Sequence, residues 1–514
     1  MEKIDLAVEF VSGNLPKSGL ISMIYCNFSS PADTGFTMYG LGPIVQLLRK
    51  DDHSDLNLFL PKLEDLTNRI GSGLIESGIH TPNHRWSNVQ DPGWMWKLFA
   101  DKKARDYADL WLKEGIDISS DGEYSERSMN YSNHSNRSLI SAAYTLEKPE
   151  LLEAPGKNLQ MLPFWGHSDD CCVTDFSERN DAGIDVHISM SLESAYLFHA
   201  FEPSPFSAMP VQKCSRSFIQ SRQDDESYLI PATADLLPWI QISPPEKMVW
   251  PEPETWPSDY VKKLGDEKIQ NERVKLSRIL ILPYTKEMTL LGSHPTFGAP
   301  FVRIRHDKFS ATLLTFNKSI VSIRYGNAKL LGIYCSFSYF GLGAIFASEL
   351  KSQTDRWELK RPNLRAAFMG PLEKAPKIMD MERDKRQPQN INRFDWSVVT
   401  REVKNGLKFL FKCSGAIEET GDELPVLAQV VLQFPQLGRI SGDYVNHRQL
   451  PAVRLPGYVK IPTENDLFFH KGRIVYENQG DLLIFKGGAL QHSMPIMLGD
   501  SLSQNVRSLR INLI

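Results

Sequence analysis

No stretch of this sequence stays apolar for the about 20 residues that a membrane helix needs, so no membrane-spanning helix is expected. Cysteine is scarce. The six residues Cys26, Cys171, Cys172, Cys214, Cys335 and Cys413 contain no C-x-x-C pair, and so form neither a zinc knuckle nor an obvious disulfide framework. An excess of one charge is missing too: 58 Lys and Arg against 62 Asp and Glu leave −4 in 514 residues. That balance gives no general electrostatic pull toward nucleic acid or an anionic membrane. The opening MEKIDLAVEFVSGNLPKSG lacks the apolar core and small-residue cleavage site of a secretory signal, so a cytoplasmic location is expected. There is no G-x-S-x-G elbow for a nucleophilic serine, and no strict repeat at a period of roughly 20–50 residues.

What is present is ordinary globular composition in a chain too long for one core, so two domains are expected. Up to about residue 290, apolar residues recur at i, i+3/i+4 and i+7, as in LEDLTNRIGSGLIESG, MWKLFADKKARDYADLWLKEG and SLISAAYTLEKPELLE. That spacing predicts connected helices. PATADLLPWIQISPPEKMVWPEPETWPS is too rich in proline for a helix interior and reads as a long ordered loop, with Trp239, Trp250 and Trp256 pinning it to the surface. Beyond 290 the period changes to alternation, as in FVRIRHDKFSATLLTFNKSIVSIRYGNAKLLGIYCSFSYFG, with YGN as a turn signal. KRPNLRAAFMGPLEKAPKIMDMERDKRQPQNINRFDW reads as a long connection inside this part. The expectation is an α+β chain, helical over 1–290 and antiparallel β over 291–514.

Three polar clusters fall in the helical part. The first is GIHTPNHRW (78–86). The second is DGEYSERSMNYSNHSNR (121–137), carrying Asp121, Glu123, Tyr124, Glu126, Arg127, Tyr131, His134 and Arg137. The third is HSDDCCVTDFSERNDAG (167–183), carrying Asp175, Glu178, Arg179 and Asp181. Each borders helical runs, so all three belong to loops that can converge on one cleft. A metal site on His80 and His84 lacks the Glu of H-E-x-x-H, and Pro82 interrupts the helix face it needs. A glycosidase pair drawn from Asp121, Glu123, Glu126 and Asp175 depends on a separation that sequence does not give.

β-Elimination next to a uronic acid uses these residue types best. The C5 proton is weakly acidic because its removal adds charge to a carboxylate, so donors must neutralise that group. A base must take the proton and an acid must protonate the leaving oxygen. Asn83 and Arg127 suit the carboxylate, His84 suits the base or neutraliser, and Tyr131 or Tyr124 suits the acid, with Arg85, Arg127 and Arg137 nearby as cations.

The order N-H-x-W, then D-G-x-x-x-x-E-R about forty residues on, then Y-x-N, resembles the helical-barrel polysaccharide lyases. That group includes certain alginate lyases and the heparinase II/III-like proteins. The resemblance covers the whole chain in architecture and some sixty residues in motif. It implies an N-terminal (α/α) toroid followed by an antiparallel β-sandwich. It places the catalytic roles on Asn83, His84, Arg127 and Tyr131, although Pro82 stands where the alginate lyases carry a further Asn. It implies an acidic oligo- or polysaccharide as partner. Nucleic acid, membrane and redox or nucleotide cofactor are not implied, and a divalent cation in the β part has no clear ligand set.

Each residue also has a plainer reading. Asn83 can cap a helix beginning near Arg85. Arg127 can pair with Glu123 or Glu126, and Tyr131 can be a packed tyrosine. Trp86 can stack on a sugar or belong to the core. His80, Arg85, Tyr124, Glu126, Arg179 and Asp181 are candidates for substrate binding. His294 joins them because the β part of such lyases can supply a histidine, and His306 stands beside it in SHPTFGAPFVRIRH. The competing functions are a glycoside hydrolase on the same scaffold and a carbohydrate-binding protein without catalysis.

Overall fold

The computed structural model describes residues 2–220 except 24–26, 55, 76, 80 and 178; 235–272; 296–372 except 338, 341–342, 345 and 355; 385–442 except 404–405, 425–427 and 436–438; and then 453–455, 458–460, 467–468, 472–489 and 506–513. His80, Glu178 and His294 lie outside the described residues. The chain divides into two compact units. One comprises Met1–Gly166, Asp170–Pro257 and Gly265–Gly298, and the other His167–Asp169, Ser258–Leu264 and Ala299–Ile514. The first is helical and the second is built of antiparallel sheets. The helical unit thus runs past the change of texture near 290 and yields residues 258–264 to the sheets.

The helical unit contains α1 (Glu2–Asn14), α2 (Pro31–Leu48), α3 (Leu56–Leu74), α4 (His84–Phe99), α5 (Lys102–Leu112), α6 (Met129–Leu146), α7 (Glu153–Met161), α8 (Leu192–Phe201), α9 (Pro205–Gln220) and α10 (Leu236–Ile242). Side chains that accept otherwise unbonded amides fix several starts. Ser30 accepts from Asp33 N, Asp101 from Ala104 N and Ser128 from Tyr131 N. The run MWKLFADKKARDYADLWLKEG is two helices, because Ala100 turns left-handed (φ 54°) and Asp101 caps the next. In α3 the apolar period does what it promised: Leu56, Phe59, Leu63, Leu66, Ile70 and Leu74 are all buried. The expected Trp-pinned loop is corrected in one place. Leu236–Ile242 is helical and Trp239 is fully buried, its ring centroid 5.8 Å from that of Trp94 and 5.7 Å from that of Tyr144. Pro238 is tolerated because it sits in the first turn, where an amide has no helical partner to lose. Among the described residues no helix is long and apolar enough to cross a membrane.

In the sheet unit one sheet has the order β1 (Asp259–Leu264), β2 (Phe301–His306), β3 (Phe309–Leu314), β4 (Ser319–Tyr325), β5 (Ala328–Phe337), β11 (Ala428–Gln433) and β15 (Leu467–Phe468), with β6 (Gly343–Ala344) beside β5. The other has the order β12 (Arg439–Gly442), β16 (Gly472–Asn478), β17 (Asp481–Ala489), β18 (Val506–Leu513), β10 (Gly406–Ile417), β9 (Pro388–Val403), β8 (Arg356–Met369) and β7 (Glu349–Gln353). A short hairpin pairs β13 (Val453–Leu455) with β14 (Tyr458–Lys460). Both large sheets feed one apolar core, with Val302, Ile304 and Leu313 from the first and Trp396, Val398 and Phe409 from the second. The YGN signal is a tight β4–β5 turn: Tyr325 pairs with Ala328 and Gly326 takes φ 53°. A side chain at Gly326 would meet the Asp481 carboxyl. The segment read as a long connection is instead largely β8 and β9. Pro362 and Asn363 sit where the register shifts between Arg361 and Leu364, so residues that looked like breakers mark a bulge inside a strand.

Candidate active site

The site is assembled inside the helical unit, where the first cluster begins α4. Backbone bonds from His84 to Thr81, Arg85 to Pro82 and Trp86 to Asn83 close a tight turn. Asn83 has helical dihedrals (φ −63°, ψ −29°) and makes no side-chain cap bond, so its amide is spared for other work. With the amide oriented to donate, as its surroundings require, Asn83 Nδ2 lies 3.1 Å from each Glu126 carboxylate oxygen and 2.9 Å from Thr81 Oγ1. His84 Nδ1 is 2.9 Å from the same Thr81 hydroxyl.

The second cluster turns sharply before α6. Arg127 adopts φ 54°, a left-handed conformation costing roughly 1–3 kcal/mol for a non-glycine residue, and its own contacts hold it there. Arg127 Nε donates to Glu123 Oε1 at 3.0 Å and Nη1 donates to the Thr296 carbonyl at 3.1 Å. This buried ion pair is the plainer of the two readings of Arg127. Ser128 then caps α6, and the third cluster is fastened to that cap. Asp181 Oδ2 accepts from Ser128 Oγ at 2.7 Å, while its other oxygen accepts from the Ser177 hydroxyl. A carboxylate there also complements the positive end of α6.

With both loops anchored, Arg179 reaches back. Its Nη1 pairs with Glu126, and its guanidinium carbon stands 4.0 Å from the centroid of the Tyr131 ring. Tyr131 is partly exposed, and its hydroxyl donates to Asn180 Oδ1 at 3.2 Å. The three clusters are therefore joined in one chain of contacts, Asn83 to Glu126 to Arg179 to Tyr131. Glu126 is 3 % exposed; burial pushes its carboxyl up to about 7, against the pull of Arg179, with Asp117 adding to the rise. His134 lies one turn along α6, its ring 6.0 Å from that of Tyr131. Burial lowers its pKa to about 3, assisted by Arg137 and His84.

Several expected substrate-binding residues are buried and, for the most part, held by other partners. Trp86 is 1 % exposed and has no face to offer a sugar. Arg85 is buried, ion-paired with Glu114 at 3.1 Å and with Asp117, and stacked on Trp86 at 4.3 Å. Tyr124 is 4 % exposed, donates to Asn136 Oδ1 at 2.9 Å, and has its pKa pushed well up by burial and then by Asp117. Of the two phenols Tyr131 is the more exposed. Asp181, as above, is committed to the loop anchor. Arg137 is taken up by Glu193 at 3.3 Å and Asp235 at 3.4 Å, over the Tyr39 ring at 4.4 Å. His306, in the sheet unit, sits between Asp259 and Glu402. Burial opposes its protonation, but the hydrogen bonds to Glu402 and Asp259 outweigh that and raise its pKa.

Sequence reasoning missed Asn180, the partner of the Tyr131 hydroxyl, and Phe36 of α2, whose ring lies 5.2 Å from that of His134. Asn180 follows Arg179 directly and was legible as part of the same cluster; Phe36 carried no signal. Among the described residues no group of three His, Cys, Asp or Glu is placed to hold a metal ion. The arrangement offers an amide, a carboxyl titrating near neutrality, a cation and a partly exposed phenol, a set able to bind a carboxylate and move protons beside it.

No family model matches the chain, and no curated protein matches it in sequence. Among solved structures it is similar to heparinase III, at 11% identity over 99% of this chain and 71% of that one, with a TM-score of 0.48. It is also similar to the chondroitin AC lyase of Streptomyces coelicolor A3. A mutant of that enzyme aligns at 10% identity over 99% and 68% of the two chains (TM-score 0.40), and its complex with chondroitin sulphate at 9% over 99% and 77% (TM-score 0.29).

Proposed function

We propose that this protein is a lyase that cleaves uronic-acid-containing oligo- or polysaccharides by β-elimination. In this reading the helical unit is an (α/α) toroid carrying the site, and the sheet unit is a β-sandwich. The observation that carries it is the meeting of Asn83, Glu126, Arg179 and Tyr131 from three separate loops, with His84 next to Asn83 on the Thr81 hydroxyl.

The roles follow from the chemistry of each group. The substrate carboxylate binds at Asn83, where amide donors stabilise the charge that builds up as the C5 proton leaves. Glu126 occupies those donors when ionised and becomes a donor itself when protonated, so its value near 7 makes anion binding proton-linked. His84 serves as base or neutraliser. Tyr131 protonates the leaving oxygen, with Arg179 above its ring to stabilise the phenolate that results. The C5–H and C4–O bonds break, a C4=C5 double bond forms, and the proton count balances without water.

The test is near-ultraviolet absorbance over a panel of glucuronate, iduronate, mannuronate and galacturonate oligosaccharides. A conjugated C=C product absorbs there. New reducing ends without absorbance would make the protein a hydrolase, and tight binding without either product would make it a binding protein; both outcomes overturn the proposal.

A further inference from the structure

We propose that the face of the second sheet turned away from the core carries a line of basic residues that holds an acidic polysaccharide chain. The inference deepens the function proposed above and rests on it for the chemical class of the ligand. The line follows the strand register. Arg356 on β8 stands opposite Arg401 on β9, Arg401 opposite Lys408 on β10, and Lys408 opposite Arg510 on β18. Arg510 stands opposite Lys486 on β17, and Lys486 opposite Arg473 on β16. Arg356, Arg401 and Lys408 are exposed, and their strands put the core residues Trp357, Leu407 and Phe409 on the other face. None of these positions is acidic. Six neighbouring strands spaced about 4.8 Å apart give the line a length of about 24 Å.

By itself such a line destabilises the sheet. Like charges directly opposite one another on neighbouring strands repel, and here they meet strand after strand in a chain whose net charge is −4. Protection of a sheet edge does not account for them, because β10 and β18 are interior strands. The next two lines on the same face differ. One sets Lys351 opposite Glu358, and the other sets Glu349 opposite Lys360, an ion pair of 3.2 Å. Acids accompany the cations there, so the unbroken run of positive charge belongs to one level of the sheet. Its shape selects the ligand. A polyuronate is a single thread with a carboxylate on each sugar, and it can lie along a line one residue wide and meet a cation at each strand. A nucleic acid strand also calls for aromatic rings on which its bases stack. Across these three lines the outward positions of β8, β9 and β10 are Arg, Glu, Lys, Val, Ser and Leu, with no aromatic ring among them.

The test is an affinity measurement on the full chain carrying Tyr131→Phe, so that the probe stays uncut. Polygalacturonate long enough to span the line should bind, dextran should not, and added salt should weaken the binding, because exposed charges are screened. Arg356→Gln/Arg401→Gln/Lys408→Gln should weaken polygalacturonate binding about tenfold, the worth of three exposed charge contacts. The same variant should keep or raise the thermal midpoint, since it removes like-charge repulsion. A galacturonate disaccharide, too short to follow the line, should bind both proteins alike. Lys50→Gln/Lys102→Gln/Lys113→Gln takes the same charge from exposed sites of the helical unit and serves as the control. Unchanged polygalacturonate binding in the first triple variant overturns the proposal. So does an equal loss in the control, which makes the attraction one of net charge, and so does a lowered thermal midpoint, which makes the line part of the fold. Single-stranded DNA or phosphatidylserine vesicles binding more tightly than polygalacturonate, and losing that binding in the same variant, would give the face to another partner. The two readings fail separately. Line-dependent binding with no elimination product from the chain that keeps Tyr131 sinks the lyase reading alone, and elimination with binding indifferent to the line sinks this inference alone.

Discussion

The two units bury different things. In the sheets, Val302, Ile304, Leu313, Val398 and Phe409 build an apolar interior, and the fully buried Arg303 is satisfied by Ala311 O at 3.0 Å, Thr312 Oγ1 at 2.7 Å and Ser310 Oγ at 2.8 Å. In the helical unit, α4 buries His84, Arg85, Asn88, Gln90 and Asp91, and both amide atoms of Asn88, Gln90 Oε1 and Asp91 Oδ2 have no hydrogen-bond partner among the described residues. Each such atom costs about 1–3 kcal/mol, and the sheet unit carries the same kind of cost at Arg305 Nε and Nη1, Trp396 Nε1 and Thr400 Oγ1. The difference is one of clustering: on α4 the unbonded atoms fall within four successive residues, Asn88 to Asp91, whereas in the sheets they are scattered along the chain.

The comparison can be broken most sharply at the tyrosines. Tyr131→Phe should cut the elimination rate by about two to four orders of magnitude, the usual worth of a general acid, while thermal stability stays near wild type. Tyr124→Phe should do the reverse, keeping the rate and losing about 1 kcal/mol for a buried hydrogen bond, read by denaturant titration. If Tyr124→Phe were the inactive variant, the site would be misplaced.

The arginines sharpen it next. Arg127→Met strands Glu123 in the interior and should cost about 3–5 kcal/mol of stability. Arg179→Met should lower kcat instead, with a smaller loss of stability. Exchange of those outcomes would place Arg127 rather than Arg179 in the proposed site. At the level of packing, Leu313→Ala should cost about 2–5 kcal/mol in chemical denaturation, whereas Asn88→Leu should be neutral or stabilising, because it removes two unbonded polar atoms. Equal costs would erase the distinction between the two interiors.

A further effect depends on pH. The Glu126 carboxyl titrates near 7 in the folded protein against 4.5 for the ordinary group, so the folded state holds its proton more tightly. Stability from this group is complete below pH 4.5 and is lost as pH rises to 7, by on the order of 3 kcal/mol at most. Glu126→Gln should therefore flatten the decline and be the more stable protein at pH 8. A pH–stability curve unchanged by the substitution would contradict the raised value.

Much of this was legible in the residues. The helical period of α3 and the alternation of β2 to β5 are local patterns, because a buried face repeats at the period of its own element. The polar clusters were legible because Asn, His, Glu, Arg and Tyr crowded into one stretch stand out from the apolar periods around them, although the structure buries most of them. Breakers misled in both units. Pro238 sits inside a helix and Pro362–Asn363 inside a strand, since tertiary packing decides whether a proline ends an element or sits in a first turn or a bulge.

By itself the sequence determined the change from helix to antiparallel strand and the three polar loops of the candidate site. Only the tertiary structure decided which members of each loop face one another. Arg85 and Tyr124 share a few residues of chain with Asn83, His84 and Glu126 and are as deeply buried, yet they are held by other partners, Arg85 by Glu114 and Asp117 and Tyr124 by Asn136. The reason is geometric. Successive residues on a helix or tight turn point in different directions, so neighbours in sequence part company, while Asn83, Glu126 and Arg179, separated by 43 and 53 positions, are brought together by the anchored turns.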